Sequence, residues 1–362
     1  MITIVLLLVI LVYASLIVLF IGSTKRVEVL PNAESKSEIC FSIVVPFRNE
    51  ANNLPTLLQS IENLNYPKEN FEVILVDDES QDNFQLPTSN FQIKQIPNQR
   101  NSNSPKKDAI QTAIRQSKFD WIVTTDADCI VPENWLLDLN NYIQNNQKEM
   151  VCGPVVFKKR SGFLYDFQQL ELLSLQAVTI GSFGFGKPFM CNGANFAYSK
   201  SLFERLNGFE GNNAVASGDD VFLLQKAANN NPDTVGFLLK SDFVVLTNAA
   251  TSWNELFFQR VRWAGKSTGY SSNFGKMVAL VIFFGNVLFI IALLGLFWGR
   301  MECALMLFIK VLVDYLLARS SAVLYKTPMK SVFLTALMYP FFSTAVAFYS
   351  LVGKYQWKGR KF

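Results

Sequence analysis

Trp121-Ile122-Val123-Thr124-Thr125-Asp126-Ala127-Asp128-Cys129 is the stretch whose reading decides the fold. Its apolar, β-branched run predicts a buried strand, and the two carboxylates that follow predict charge delivered at the strand's carboxyl end. Open α/β sheets bind ligands at that edge. If the chain bends after the strand, acids at i and i+2 can share one divalent cation, and hard oxygen ligands suit Mg2+ or Mn2+. A nucleotide diphosphate is the natural third party. Alone, a D-x-D is more simply an acidic turn, so company elsewhere in the chain is needed to favour an ion site.

Upstream, Phe41-Ser42-Ile43-Val44-Val45-Pro46 predicts a first strand, and Glu50 to Asn63 a helix with Leu54, Leu57, Leu58 and Ile61 on one face. Phe71 to Val76 predicts a second strand, ending in Asp77-Asp78-Glu79-Ser80-Gln81-Asp82. A weak strand at Phe91–Ile96 and a helix from Pro105 to Ser117 lead back to Trp121. Strand, helix, strand, helix, strand predicts an α/β fold with parallel pairing and right-handed crossovers. Two neighbouring strands would then release acids at one edge, the first cluster accepting hydrogen bonds from a base or ribose and the second holding the ion. The plain alternative for 77–82 is a polar turn with an Asx cap. Lys106 and Lys107 at a helix start could meet phosphate, or could simply be solvated.

Half of the 362 residues are hydrophobic and the net charge is +4. The basic residues form no nucleic-acid-sized patch, so lipid headgroups or a diphosphate are the better partners, and no nucleic acid is expected. The chain has no histidine, which removes Ser-His-Asp and Cys-His catalysis and zinc's usual nitrogen ligand. Acid–base work falls to carboxylates. Cys40, Cys129, Cys152, Cys191 and Cys303 have no paired spacing and are expected as reduced thiols.

Further along, Met190-Cys191-Asn192-Gly193-Ala194-Asn195-Phe196-Ala197-Tyr198 passes through a small-residue turn in which glycine permits close approach of a ligand or of backbone. Gly181, Gly184 and Gly186, just before it, suit a mobile segment rather than a dinucleotide loop. Ser217-Gly218-Asp219-Asp220 opens an amphipathic helix. Acids there stabilise a helix amino end and Ser217 could cap it; the functional alternative is a general base. Trp253 to Lys266 interleaves basic with aromatic residues at helical spacing, as in a helix at a membrane interface, and puts Gln259, Arg262 and Trp263 on nearly one face.

Residues 2–22 carry no charge and can cross a bilayer core, with Lys25 and Arg26 directly behind. That order is the reverse of a cleavable signal and predicts a retained anchor, with a cytoplasmic domain after it. Met277–Trp298 and Val332–Val352 are also long enough to span. Ala304–Tyr325 has the length but includes Lys310, Asp314 and Arg319, which could pair inside a bundle, lie along the interface or sit in a re-entrant segment. Three and four spans both stay open. The expected organisation is an anchor at 1–24, a catalytic domain at 40–250, an interfacial helix at 251–275, membrane helices at 277–353 and a basic tail at 354–362, in a multi-pass cell-membrane protein.

Val45-Pro46 with Arg48-Asn49-Glu50, Asp77-Asp78, Asp126-Ala127-Asp128, Gly218-Asp219-Asp220 and Gln259-Arg260-Val261-Arg262-Trp263 stand in the order found in family 2 glycosyltransferases. Over roughly residues 40–270 the chain resembles the membrane-bound branch with cellulose, chitin and hyaluronan synthases and ceramide glucosyltransferase. Each motif is weak singly; in register they are specific. The resemblance implies a GT-A fold and inverting, metal-dependent transfer from a nucleotide sugar, a UDP-sugar first. It implies Glu50 and Asp78 as uridine contacts, Asp128 as metal ligand, and Asp126 at the ribose or diphosphate. Asp220 becomes the base, with Lys107 and Arg262 on the donor side and Asn195, Asp219, Gln259 and Trp263 on the acceptor side. Many relatives carry Glu-Asp where this chain has Asp219-Asp220, which leaves Asp219 as the doubtful member. Gly181 to Lys187 and the Trp263 helix would serve as lids that keep water out.

Few membrane helices in one chain favour a lipid or lipid-linked acceptor at the cytoplasmic face over an exported polymer, unless additional membrane subunits complete a channel. The alternative is a processive or oligomer-forming synthase, which Q-x-x-R-W favours. A non-catalytic membrane scaffold would be marked by loss of a metal or base carboxylate, and none is missing.

Overall fold

The computed structural model describes residues 2–27, 38–212, 218–265, 271–352, 356–357 and 360–361. In chain order the elements are α1 (Ile2–Ser23), β1 (Phe41–Phe47), α2 (Leu54–Glu62), β2 (Phe71–Asp77), β3 (Gln92–Pro97), α3 (Pro105–Gln116), β4 (Trp121–Thr124), α4 (Trp135–Asn146), β5 (Met150–Cys152) and β6 (Val155–Phe157). They continue with α5 (Phe163–Gly184), β7 (Phe196–Ser199), α6 (Lys200–Arg205), α7 (Asp219–Asn230), β8 (Val235–Phe237), β9 (Val245–Thr247), α8 (Trp253–Gly265), α9 (Asn273–Phe297), α10 (Glu302–Leu324) and α11 (Val332–Val352). Two compact units result: Glu28–Lys158 with Pro188–Asn248, and Met1–Val27 with Lys159–Lys187 and Ala249–Phe362.

The first unit is built on a seven-stranded sheet of order β3-β2-β1-β4-β7-β5-β8. Its first four strands are parallel, as the strand–helix alternation predicts. β1 and β2 are buried on both faces, which explains their nearly unbroken apolar runs. Pro46 lies past the last β1–β4 pair, Val44↔Thr124, where no ladder donor is required. Asn49 adopts a left-handed backbone (φ 55°), and the helix expected from Glu50 begins only at Leu54. Its predicted apolar face, Leu54, Leu57, Leu58 and Ile61, is buried against the sheet core. β7 turns antiparallel to β4 and β5, and a small β6–β9 sheet stands beside the main one. Ser217, expected as a cap of α7, lies outside the described residues, as do Lys354 and Lys358 of the tail.

The second unit is helical and includes residues 159–187, and it corrects one expectation. Gly181 and Gly184 do not form a mobile lid but lie inside α5, which packs on α1. A Cβ on Gly184 would come within 1.9 Å of the Ser23 carbonyl, and one on Gly181 within 2.8 Å of the Phe20 carbonyl. The glycines are there because two helix backbones nearly touch, the way small residues work in membrane bundles. Ser23 Oγ also donates to the Gly181 carbonyl at 2.9 Å. No element is predicted for 163–184, because Gln168, Gln169, Glu171 and Gln176 break up any single apolar stripe; all four are buried.

Among the described residues three helices are long and apolar enough to cross a membrane: Leu6–Arg26, Asn273–Phe297 and Val332–Leu351. α10 is a continuous helix of 23 residues. Of the three arrangements open for its charges, Lys310 and Asp314 adopt the pair inside the bundle, at 2.6 Å, with the Tyr13 hydroxyl donating to Asp314. Arg319 stays out of it, donating to the Tyr315 hydroxyl at 3.1 Å on an exposed face. All five cysteines are free thiols.

Candidate active site

The carboxyl edge of the parallel strands gathers acids from four places. After Thr124 the chain bends, with the Cys129 N–H donating to the Asp126 carbonyl at 3.1 Å, so that Asp126 and Asp128 leave the strand in one turn. Asp128 Oδ2 accepts from the Thr247 hydroxyl at 3.0 Å and from the Asn248 N–H at 3.2 Å. Burial pushes its carboxyl above the usual aspartate range, the nearby Asp126 adds to that, the bonds from Asn248 and Thr247 oppose it, and Glu50 adds a further, smaller push.

Asp219 and Asp220, at the first turn of α7, are both buried and interact favourably with the helix dipole. The Gly193 N–H donates to Asp220 Oδ2 at 3.0 Å, while the Gly193 carbonyl accepts from the Thr124 hydroxyl at 2.7 Å. One glycine thus ties the end of β4 to the start of α7. A Cβ there would sit 3.2 Å from Asp219 Oδ2 and 3.4 Å from Asp220 Cβ, so the two acids would have to yield slightly to admit one. The close approach expected at this turn is by the protein's own acids.

Lys106 enters the middle of these acids, pairing with Asp126 at 2.7 Å and Asp219 at 3.6 Å. Burial works against its ammonium, but Asp126, Asp219 and Asp220 outweigh that and hold its pKa well above the ordinary lysine value. The expected donor-side lysine, Lys107, goes elsewhere: it is buried, donates to the Asn212 carbonyl at 2.7 Å and lies over the Phe222 ring. Helical spacing carries the signal, since Lys107 shares a face with Ile110 and Ile114 and must point inward.

Asp78 lies on the neighbouring strand end, where its backbone N–H donates to the Phe47 carbonyl at 2.9 Å. Asn98 and Arg100 reach its Oδ1 at 2.7 and 3.5 Å. Glu50 accepts from the Asn53 amide at 2.6 Å and is close enough to Asp128 to affect it. Asn195 is not brought to the acids. It is 1% exposed, its amide donates to the Pro154 and Phe243 carbonyls, and its oxygen accepts from the Trp135 indole at 2.9 Å. An interior bracket leaves it no surface for an acceptor.

Gln259, Arg262 and Trp263 lie on α8 in the helical unit. Between them stands Arg260, which the motif reading passes over. It is 4% exposed, donates from Nε to Glu171 at 2.7 Å and lies with its guanidinium 4.1 Å from the Trp263 ring centre. No periodic signal joins Glu171 to it, because the pair is 89 residues apart in sequence.

Among the described residues no group of three acids, cysteines or histidines could cage a metal ion. The donor set nevertheless fits a hard divalent cation. Asp126 and Asp128 offer only oxygen, and Asp126 raises the cost of ionising Asp128. Mg2+ and Mn2+ are commonly held by one or two carboxylates plus a substrate's phosphates.

Residues 42–206 match the family model of glycosyl transferase family 2. The chain is 26% identical over 237 residues to the probable glycosyltransferase YdaM of Bacillus subtilis strain 168, covering 62% of this chain and 54% of that one. It is 29% identical over 128 residues to the glycosyltransferase AglE of Haloferax volcanii, covering 33% and 41%. The chain thus spans about half the length of these curated relatives or less. Among solved structures it is similar to the mannosyltransferase PcManGT of Pyrobaculum calidifontis in complex with GDP-Man and Mn2+, with a TM-score of 0.59, 18% identity, and 97% and 99% of the two chains covered. The matched stretch is thus similar to family 2 glycosyltransferase domains, and its fold is GT-A.

Proposed function

We propose that the chain is an inverting glycosyltransferase that moves a sugar from a nucleotide diphosphate sugar, a UDP-sugar first, to a lipid or lipid-linked acceptor at the cytoplasmic face of a membrane. The observation that carries this reading is the convergence of Asp126, Asp219 and Asp220 around Lys106, with Asp128 beside Asp126, within a stretch that matches family 2. Asp128, with Asp126, would hold Mg2+ or Mn2+, which when bound neutralises diphosphate charge. Glu50 and Asp78 take the nucleoside, and Arg262 takes the diphosphate. Lys106, rather than Lys107, is the sheet unit's cation for the donor.

In this reading the acceptor hydroxyl attacks the anomeric carbon as Asp220 removes its proton. The bond to the diphosphate breaks on the opposite face and its electron pair leaves with the phosphate oxygen. Gly193 holds Asp220 in place through its N–H, and Asp219 holds Lys106. Gln259 and Trp263 contact the acceptor, the indole by stacking. Asp220→Asn keeps the shape, and its one oxygen can still accept from Gly193 while the bond from the Val221 N–H is given up, so transfer should fall by on the order of a hundredfold with donor affinity nearly intact. Full activity would remove Asp220 from the chemistry. The measurement is transfer from a panel of labelled nucleotide sugars into extracted membrane lipid.

The Gln259-Arg260-Val261-Arg262-Trp263 helix favours one second reading, a processive or oligomer-forming synthase of the membrane-bound branch. Product length on a sizing gel separates the two.

A further inference from the structure

The Q-x-x-R-W segment is gripped by α5 at two levels, both inside the helical unit. At the start of α8, the Gln168 amide donates to the Ala250 carbonyl at 3.0 Å, and its oxygen accepts from the Ala250 N–H at 2.9 Å. Phe167, Ala250 and Leu256 close an apolar cluster over that join. Two turns further on, Arg260 meets Glu171. The pair is fully inside the unit, Arg260 being 4% and Glu171 7% exposed. Among the described residues Glu171 is the one acid that pairs with Arg260.

Arg260 also orders its neighbours. A guanidinium has donors and no acceptor, so the Gln259 amide, whose oxygen accepts from Arg260 Nη1, must turn its –NH2 the other way. The guanidinium's 4.1 Å approach to the Trp263 ring fixes the indole by cation–π attraction. One buried cation therefore sets which end of Gln259 a ligand meets and which way Trp263 faces. Glu171 holds that cation.

We propose that Glu171 and Arg260 are positioning residues for acceptor binding, acting through Gln259 and Trp263. This rests on the glycosyl-transfer reading above, in which those two side chains contact the acceptor. A hydroxyl or phosphate oxygen is the ligand group that a fixed amide donor beside a stacking indole selects.

The test uses the full chain in detergent, a panel of labelled nucleotide sugars, and a chloroform–methanol extract of membranes as acceptor. Glu171→Gln, Arg260→Gln and the double variant are compared. The double matters because each single leaves one buried charge without its partner and can lower stability by itself. The expected result is a half-saturating amount of extract raised roughly tenfold in all three, with half-saturating donor changed by no more than about twofold. The double should be no worse than the worse single, because both act through one contact. Unchanged extract dependence in the double overturns the proposal. So does a joint loss of donor and acceptor saturation with a lowered thermal midpoint, which marks a purely structural pair. Wild-type transfer with unaffected variants refutes only this pair's role, whereas a wild type that transfers nothing refutes the transfer reading beneath it.

Discussion

At the scale of single residues, the acid cluster carries a mutual repulsion that something positive must relieve. Asp128 is raised by burial and by Asp126. An acid whose folded pKa is raised adds stability below its unfolded pKa and loses it as pH rises through the folded value. Asp128→Asn should therefore raise the thermal midpoint of the metal-free protein at neutral pH, and that gain should shrink as pH falls through the raised pKa toward the ordinary aspartate value. A midpoint difference that is flat with pH refutes this. The same variant should abolish the manganese dependence of nucleotide-sugar binding by calorimetry. Lys106 and Lys107 separate by donor affinity: Lys106→Met should cut it, and should also lower the thermal midpoint because Asp126 and Asp219 lose the cation between them. Lys107→Met should cost about 1.5–3 kcal/mol of stability for its lost bond to the Asn212 carbonyl, with donor affinity kept. Two adjacent lysines look equivalent as letters; the buried face of α3 tells them apart.

At the scale of elements, the helices of the second unit are set by close approach and by buried charge. Gly184→Ala would force a methyl to within 1.9 Å of the Ser23 carbonyl, so α1 and α5 must part, at a cost of about 3 kcal/mol. Gly22→Ala meets nothing within 4 Å and is the control. Melting in detergent should show a lowered midpoint for the first alone. In α10, Asp314→Asn leaves Lys310 buried without its partner and should cost about 3 kcal/mol, while exposed Arg319→Gln should be neutral. Equal midpoints for those two variants would show that the Lys310–Asp314 pair does not hold the bundle.

At the scale of the whole molecule, the question left by composition is how often the chain crosses. α10 turns Lys310 inward and exposes Leu305, Phe308, Leu312, Leu316 and Val323, an apolar outer stripe suited to lipid. A fourth crossing is the expected outcome. Cysteines placed at Gly299 and Lys326, in a background cleared of reactive thiols, should then label from opposite sides with a membrane-impermeant maleimide; same-side labelling would mean α10 lies along the interface.

The sequence alone determined the parallel half-sheet, because unbroken apolar runs alternating with amphipathic helices leave few other topologies. It also marked the acids, since carboxylates after buried strands must come out at one edge. What only the tertiary structure decided were the relations between distant segments: which lysine enters the acid cluster, the Gly193 bracket, the burial of Asn195, and the joining of Glu171 to Arg260. These depend on side chains meeting across gaps in sequence, for which local periodicity carries no signal. The glycines at 181 and 184 make the same point, since freedom and close packing are written with the same residue and only a neighbouring backbone tells which is meant.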